Sequence, residues 1–223
     1  MPEIFRMNIH TVYYFFMKRF RPARARDIGK RFPILSDPQA RILDVGGGAF
    51  PWVELKPAAR ITILNRERPH SVSEHCEWEF VEGDGTDLQY PDGSFDLVFS
   101  NSVIEHVGDF HAQRRFANEM LRVGKRVYCQ TPNLWFPVEP HLIAVFIHWL
   151  PFSVARKMVR FASVWGWVAK PDQDRIDSFL KSTRLLTRHE VVDLFPGCYL
   201  RRERLFGLTK SFIVEKLGGG HGK

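Results

Sequence analysis

Four polar residues, Asp44, Asn65, Asp84 and Asn101, stand at the ends of four short apolar runs. The first run, Arg41-Ile-Leu-Asp-Val, enters Gly46-Gly-Gly48, where glycines accept a positive φ and let the backbone press against a ligand. Arg60-Ile-Thr-Ile-Leu-Asn65 ends about twenty residues later, the spacing at which nucleotide-binding βαβ units place a ribose contact. Trp78-Glu-Phe-Val-Glu-Gly83 stops at Asp84. Pro91-Asp-Gly-Ser-Phe-Asp-Leu-Val-Phe-Ser100 reads as a turn and a fourth strand that continues into Asn101-Ser-Val-Ile-Glu-His-Val107. The carboxyl ends of strands in an open parallel sheet line one crevice, so the four polar side chains are expected to meet one ligand.

The elements that must position them follow the same order. Phe110 to Leu121 carries apolar residues at helical spacing, with Gly124 as a stop, and Arg126-Val-Tyr-Cys-Gln-Thr131 is a fifth strand. Thr187 to Phe195 reads as a helix with Thr187 at the N-cap and Glu190 completing a capping box. Cys198 to Phe206 and Lys210 to Lys216, joined through Gly207-Leu208-Thr209, predict an antiparallel hairpin.

This series resembles the class I S-adenosylmethionine-dependent methyltransferases, in particular the methyltransferase type 11 group, through Leu-Asp-Val-Gly-x-Gly, Gly-Asp and Phe-Asp-Leu-Val over residues 38–215. The resemblance implies a Rossmann-like α/β fold: a doubly wound, mostly parallel seven-stranded sheet with a C-terminal antiparallel hairpin; the length of 133–182, between the fifth strand and the Thr187 helix, adds a helical lid insertion. The resemblance further implies S-adenosylmethionine as cofactor. Asp44, Gly46, Gly47 and Gly48 would hold its methionine end, Asn65 its ribose, Asp84 and Gly85 its adenine edge, and Asn101 would follow the strand beside the sulfonium. Two positions depart from the family pattern: Phe50 replaces a third glycine and Asn65 a ribose carboxylate. A neutral amide makes a weaker hydrogen bond than a carboxylate, which keeps open a catalytically silent binding or scaffold protein.

Methyl transfer draws much of its acceleration from alignment, worth ~7–11 kcal/mol in well-oriented systems, and no base is obligatory. For a hydroxyl acceptor His106, after the fourth strand, is the first acid–base candidate, with His141 and Glu139 at the insertion's entrance behind it. Glu105-His106 alone is too sparse a ligand set, so no metal is expected. Pro51 stands where a dinucleotide fingerprint needs its third glycine, which argues against hydride chemistry. Asn101-Ser-Val-Ile104 occupies the place of the Asn/Asp-Pro-Pro-aromatic motif of nucleic-acid amino-methylating enzymes, which argues against a nucleic-acid substrate.

At 223 residues and 44% hydrophobic content the chain suits one domain over 36–217, flanked by a basic and aromatic N-terminal helical extension over 1–35 and a tail over 218–223. Cys76, Cys129 and Cys198 form neither a disulfide framework nor a zinc pattern, and no leader or spanning segment stands out, so a cytoplasmic location is expected. The net charge is +7, and Lys18, Arg19, Arg21, Arg24, Arg26, Lys30 and Arg31 follow the aromatic run Tyr13-Tyr-Phe-Phe16. Three readings stand: a solvated face of an N-terminal helix that packs over the cofactor, a nucleic-acid contact, or an anionic membrane surface, where each basic residue adds ~1 kcal/mol; the last would place the protein at the inner membrane face. The insertion predicts two helices, His141 to Leu150 and Val154 to Val168, split by Pro151. Its apolar content points to a lid over a small-molecule or lipid-like acceptor.

Overall fold

The computed structural model describes residues 21–67 and 78–218. A first helix, α1, covers 21–31, and a 3₁₀ turn at Pro33–Ser36 leads into β1 (Arg41–Val45). Then follow α2 (Trp52–Leu55), β2 (Arg60–Asn65), β3 (Glu79–Glu82), β4 (Leu97–Asn101), α3 (Phe110–Val123) and β5 (Val127–Pro132). The insertion holds β6 (Val138–Glu139), β7 (Ala144–Val145), α4 (Phe152–Ala162), α5 (Val164–Ala169) and α6 (Gln173–Ser182). The chain returns through α7 (Arg188–Leu194), β8 (Tyr199–Leu205) and β9 (Leu208–Lys216).

One seven-stranded sheet runs in the order β3-β2-β1-β4-β5-β9-β8. The first five strands are parallel, and β9 enters antiparallel to β5 and β8. The strand order reverses between β1 and β4, and a ligand crevice forms at such a switch point, outside the carboxyl ends. Register aligns those ends: Asn65 sits opposite Glu82, and Asn101 opposite Gln130.

Both faces of the sheet are covered, and β1, β4 and β5 are accordingly buried almost throughout. Alternation along β1 sends Leu43 and Val45 toward Phe116, Met120 and Leu194, and Ile42 toward Phe32, Trp52 and Tyr128. Helix α1 belongs to this second cluster through Ile28, and Ala25 on the same helix is buried too. Its basic residues are partly turned inward: Arg24 is bidentate on Glu203, and Arg31 pairs with the fully buried Glu215, which also receives Arg201 at 3.1 Å. Arg26 and Lys30 face solvent. The aromatic run 13–16, Lys18, Arg19 and Cys76 lie outside the described residues; Cys129 and Cys198 are free thiols.

The expected strands of the sheet all form. The C-terminal hairpin is tighter than predicted, turning on Phe206 and Gly207, both at positive φ (51° and 79°), so strand pairing resumes at Leu208. The insertion corrects the sequence expectation more deeply. His141 to Leu150 is not a helix: β6 and β7 pair across it, a 3₁₀ turn follows at Ile147–Trp149, and Ile143 and Phe146 sit at positive φ. That run buries Leu142, Ala144 and Ile147 but exposes Val145, an alternation no helix would give. The second predicted helix breaks at Ser163, whose hydroxyl donates to Val159 O and accepts from Gly166 N, ending α4 and capping α5. Helix α6, not foreseen, packs Ile176 into the same small core as Val159 and Trp165.

Candidate active site

The strand tips build the site from below. Gly46 takes φ +75°, and a Cβ there would stand 2.4 Å from Val103 Cγ1; only glycine lets the first turn pass the fourth-strand loop. Ser102, also at positive φ, throws that loop upward and is tied to Gln130 through its N–H (2.9 Å) and its hydroxyl (2.8 Å). Asn65 Nδ2 donates to Gly47 O at 2.8 Å, so its amide clamps the glycine turn and directs its oxygen end elsewhere. Asp84 accepts from Thr86 N and Thr86 Oγ1 and pairs with Arg66 at 2.9 Å; partial burial raises its pKa, but these bonds outweigh it and hold the carboxyl below the usual range.

Gly46, Asn65, Asp84 and Gly85 line one cleft of about 270 Å³, and His106 and Val103 close it on the fourth-strand side. A Cβ on Gly85 would meet Phe116 at 2.6 Å and Val45 at 2.7 Å, so glycine keeps the cleft floor open. The other predicted residues stand apart from its lining. Asp44 is fully buried behind the turn: a Cβ on Gly47 would fall 1.9 Å from its carboxylate, and Trp52 Nε1 donates to Oδ2 at 2.7 Å. Asp44 Oδ1 has no hydrogen-bond partner among the described residues, and burial pushes the carboxyl up to about 8. Asn101 Oδ1 accepts from Arg24, 3.1 Å away. Gly48 has open space around the position of a Cβ.

A 3₁₀ turn at Ile104–His106 carries the second group of side chains. His106 Nε2 lies 3.2 Å from His141 Nε2, and His141 Nδ1 lies 2.7 Å from Glu139 Oε1. The entrance and exit of the insertion therefore fold against the turn after the fourth strand: His141 meets His106, and Arg184 N donates to Glu105 O. Glu105 was not singled out from the sequence as a site residue. It is fully buried, accepts from Thr131 Oγ1 at 3.0 Å, and its Oε1 is 3.8 Å from His141 Nε2. Burial pushes Glu105 up to about 7. Partial desolvation and the facing His141 hold His106 below its ordinary value, although part of its surface stays in solvent. For His141, burial acts downward, but the Glu139 hydrogen bond and the charges of Glu139 and Glu105 raise it.

Beyond the imidazoles a second cavity of about 400 Å³ opens under the insertion, with Glu139, Leu142, Ile147, Phe152, Phe179 and Thr183 among its walls. Thr183 Oγ1 is 3.4 Å from His106 Nδ1. His106 lines the strand-tip cleft, and the two imidazoles touch walls of the lid cavity, His106 at Thr183 and His141 at Glu139.

Glycine-floored cleft, strand order and lid together define a class I methyltransferase-type domain. Residues 43–127 match the family described as methyltransferase domain. A phosphoethanolamine N-methyltransferase of Triticum aestivum is 31% identical over 173 residues, 68% of this chain and 33% of that protein. The chloroplastic 2-methyl-6-phytyl-1,4-hydroquinone methyltransferase of Arabidopsis thaliana is 33% identical over 100 residues, 40% of this chain and 29% of that one. The chain spans about a third of the length of the curated relatives it matches. Among solved structures, the 1,6-didemethyltoxoflavin-N1-methyltransferase of Burkholderia thailandensis, with S-adenosylhomocysteine bound, shares the fold at a TM-score of 0.50 and 14% identity, covering 96% of this chain and 91% of that one. The fold is that of the class I S-adenosylmethionine-dependent methyltransferases, and residues 43–127 carry the methyltransferase-domain match.

Proposed function

We propose that this chain transfers a methyl group from S-adenosylmethionine to an oxygen or nitrogen of a small-molecule or lipid-linked acceptor held under the insertion. The observation that carries the reading is the neighbourhood of two cavities: His106 lines the strand-tip cleft, and its Nδ1 lies 3.4 Å from Thr183, a wall of the lid cavity. The cleft residues suit the cofactor. Gly46 and Gly85 keep its floor free of side chains, Asp84 offers a charged acceptor at the far end, and Asn65 presents an amide oxygen. The fully buried Asp44 holds the turn from behind. S-adenosylmethionine supplies an electrophilic methyl on a sulfonium; the acceptor lone pair takes it as the carbon–sulfur bond breaks, leaving a neutral thioether and a proton to be lost.

The chain's own part is placement. The lid walls exclude water and hold the acceptor body, and the 3₁₀ turn presents His106 at the junction where the reacting atom must stand. Predominantly apolar walls favour an acceptor with an aromatic or aliphatic body. The outside of the insertion supports the lipid-linked form of that acceptor: Trp135, Phe161 and Trp167 are 65%, 73% and 63% exposed, and Arg156, Lys157 and Arg160 accompany Phe161 on α4. Exposed aromatics beside basic residues suit an anionic membrane surface. Among the described residues no helix is long and apolar enough to cross a membrane.

The test is label transfer from methyl-labelled S-adenosylmethionine into fractionated cell extract. We expect label in an organic-soluble product, with His106→Ala lowering turnover at least tenfold while S-adenosylhomocysteine affinity stays within about twofold. Label found only in nucleic acid or protein would overturn the reading.

A further inference from the structure

The chemistry gathered at the junction exceeds what methyl transfer requires. We infer that Glu105, His106 and His141 form a binding site for one divalent transition-metal ion, Zn²⁺ in the first instance. Three protein donors, two imidazole nitrogens and one carboxylate oxygen, all lie within 4.8 Å of one another. The two Nε2 atoms are 3.2 Å apart, close to the ~3.3 Å edge of a tetrahedron whose ligands stand ~2.05 Å from a zinc ion. Glu105 Oε1, at 3.8 Å from His141 Nε2, needs only a small side-chain rotation to join them.

Two further features point to an ion rather than to a self-contained hydrogen-bond cluster. Glu105 is completely buried and its Oε1 accepts no hydrogen bond among the described residues; His141 Nε2, its facing cationic group, stands at 3.8 Å, beyond hydrogen-bond reach, and an ion between them would complete both. The surroundings also orient the donors as outer partners of metal ligands do. Glu139 bonds His141 at Nδ1, so Nε2 is the nitrogen turned toward His106 and Glu105; Thr131 holds the other oxygen of Glu105; Thr183 approaches Nδ1 of His106. Two nitrogens and an oxygen suit Zn²⁺, Co²⁺ or Fe²⁺ better than Mg²⁺ or Ca²⁺, which prefer all-oxygen shells. The expectation of no metal rested on Glu105-His106 alone; the fold supplies the third donor from 35 residues downstream.

With three protein ligands a four-coordinate ion keeps a position open. His106 has solvent access and borders the strand-tip cleft, so that position would take an acceptor hydroxyl, phenol or phosphate oxygen as a Lewis-acid ligand. This role rests on the methyltransferase reading; the binding site itself does not.

The experiment is a Co²⁺ titration of chelator-treated full chain followed by visible absorption, with Zn²⁺ displacing the Co²⁺. We expect one equivalent bound with the intense bands of four- or five-coordinate Co²⁺, bleached by one equivalent of Zn²⁺. Glu105→Gln and His141→Ala should each weaken Co²⁺ binding at least 100-fold, and Glu139→Gln about 10–100-fold, in proteins whose circular dichroism matches the parent. S-adenosylhomocysteine affinity, measured separately, should be unchanged in Glu105→Gln, so loss of the cofactor reading and loss of the metal reading register on different axes. A spectrum of the aquo ion alone, or Co²⁺ affinity indifferent to both Glu105→Gln and His141→Ala, would overturn the inference.

Discussion

Replacing Asp44 with Asn tests how the glycine turn is supported. The carboxyl is fully buried, bonded only through Oδ2 to Trp52, and raised from 3.8 to about 8. A folded-state value above the unfolded one means that the native chain binds a proton the unfolded chain has released. This group's contribution is therefore fully present below about pH 4 and lost as pH rises to about 8. Each pH unit in that window costs about 1.4 kcal/mol, so the wild-type chain loses on the order of 5 kcal/mol across it through Asp44, an upper limit. Asn keeps the volume and an acceptor for Trp52 Nε1 but cannot ionise. Urea unfolding of both proteins at pH 5, 6, 7 and 8 should show Asp44→Asn gaining on wild type with pH, flattening above about pH 8. A stability difference that stays constant over the series would refute the reasoning.

Gly46→Ala should destabilise the chain by about 2–4 kcal/mol and abolish measurable S-adenosylhomocysteine binding, because φ is +75° and Val103 stands 2.4 Å from the new Cβ. Gly48→Ala, with nothing within 4 Å, should change urea stability by less than about 0.5 kcal/mol; equal losses in the two variants would show that the turn is not held against Val103. Thr187→Ala removes the hydroxyl half of the capping box on α7 while leaving the backbone N–H of residue 187 to donate to Glu190, and chemical denaturation should register a loss of about 1 kcal/mol; no loss would mean the helix start is held without the hydroxyl.

Local chemistry made much of this fold readable. Strand β1 announced itself through Ile42, Leu43 and Val45 before Gly46, and α7 through the spacing of Thr187 and Glu190, because such signals depend on neighbours in sequence. The insertion was misread where local pattern was ambiguous. An apolar run such as 141–150 fits a buried helix or a short hairpin equally, and only pairing of Val138 with Val145 decides. Arg24 and Arg31 looked like surface charge because their partners, Glu203 and Glu215, lie over 170 residues away. In the cleft, Gly46, Asn65, Asp84 and Gly85 came together as their strand ends foretold, whereas Asp44 and Asn101 face away for reasons set by Trp52 and Arg24. Glu105 was visible in the sequence beside His106, but its unpaired oxygen and its approach to His141 are products of tertiary packing.

The central claim is that the tips of β1 to β4 form a cleft shaped for S-adenosylmethionine. Calorimetric titration of the full chain with S-adenosylhomocysteine, alongside NAD as control, tests it most directly. The account predicts one molecule of S-adenosylhomocysteine per chain, binding lost in Gly46→Ala, and no heat from NAD; NAD binding with none from S-adenosylhomocysteine would contradict it.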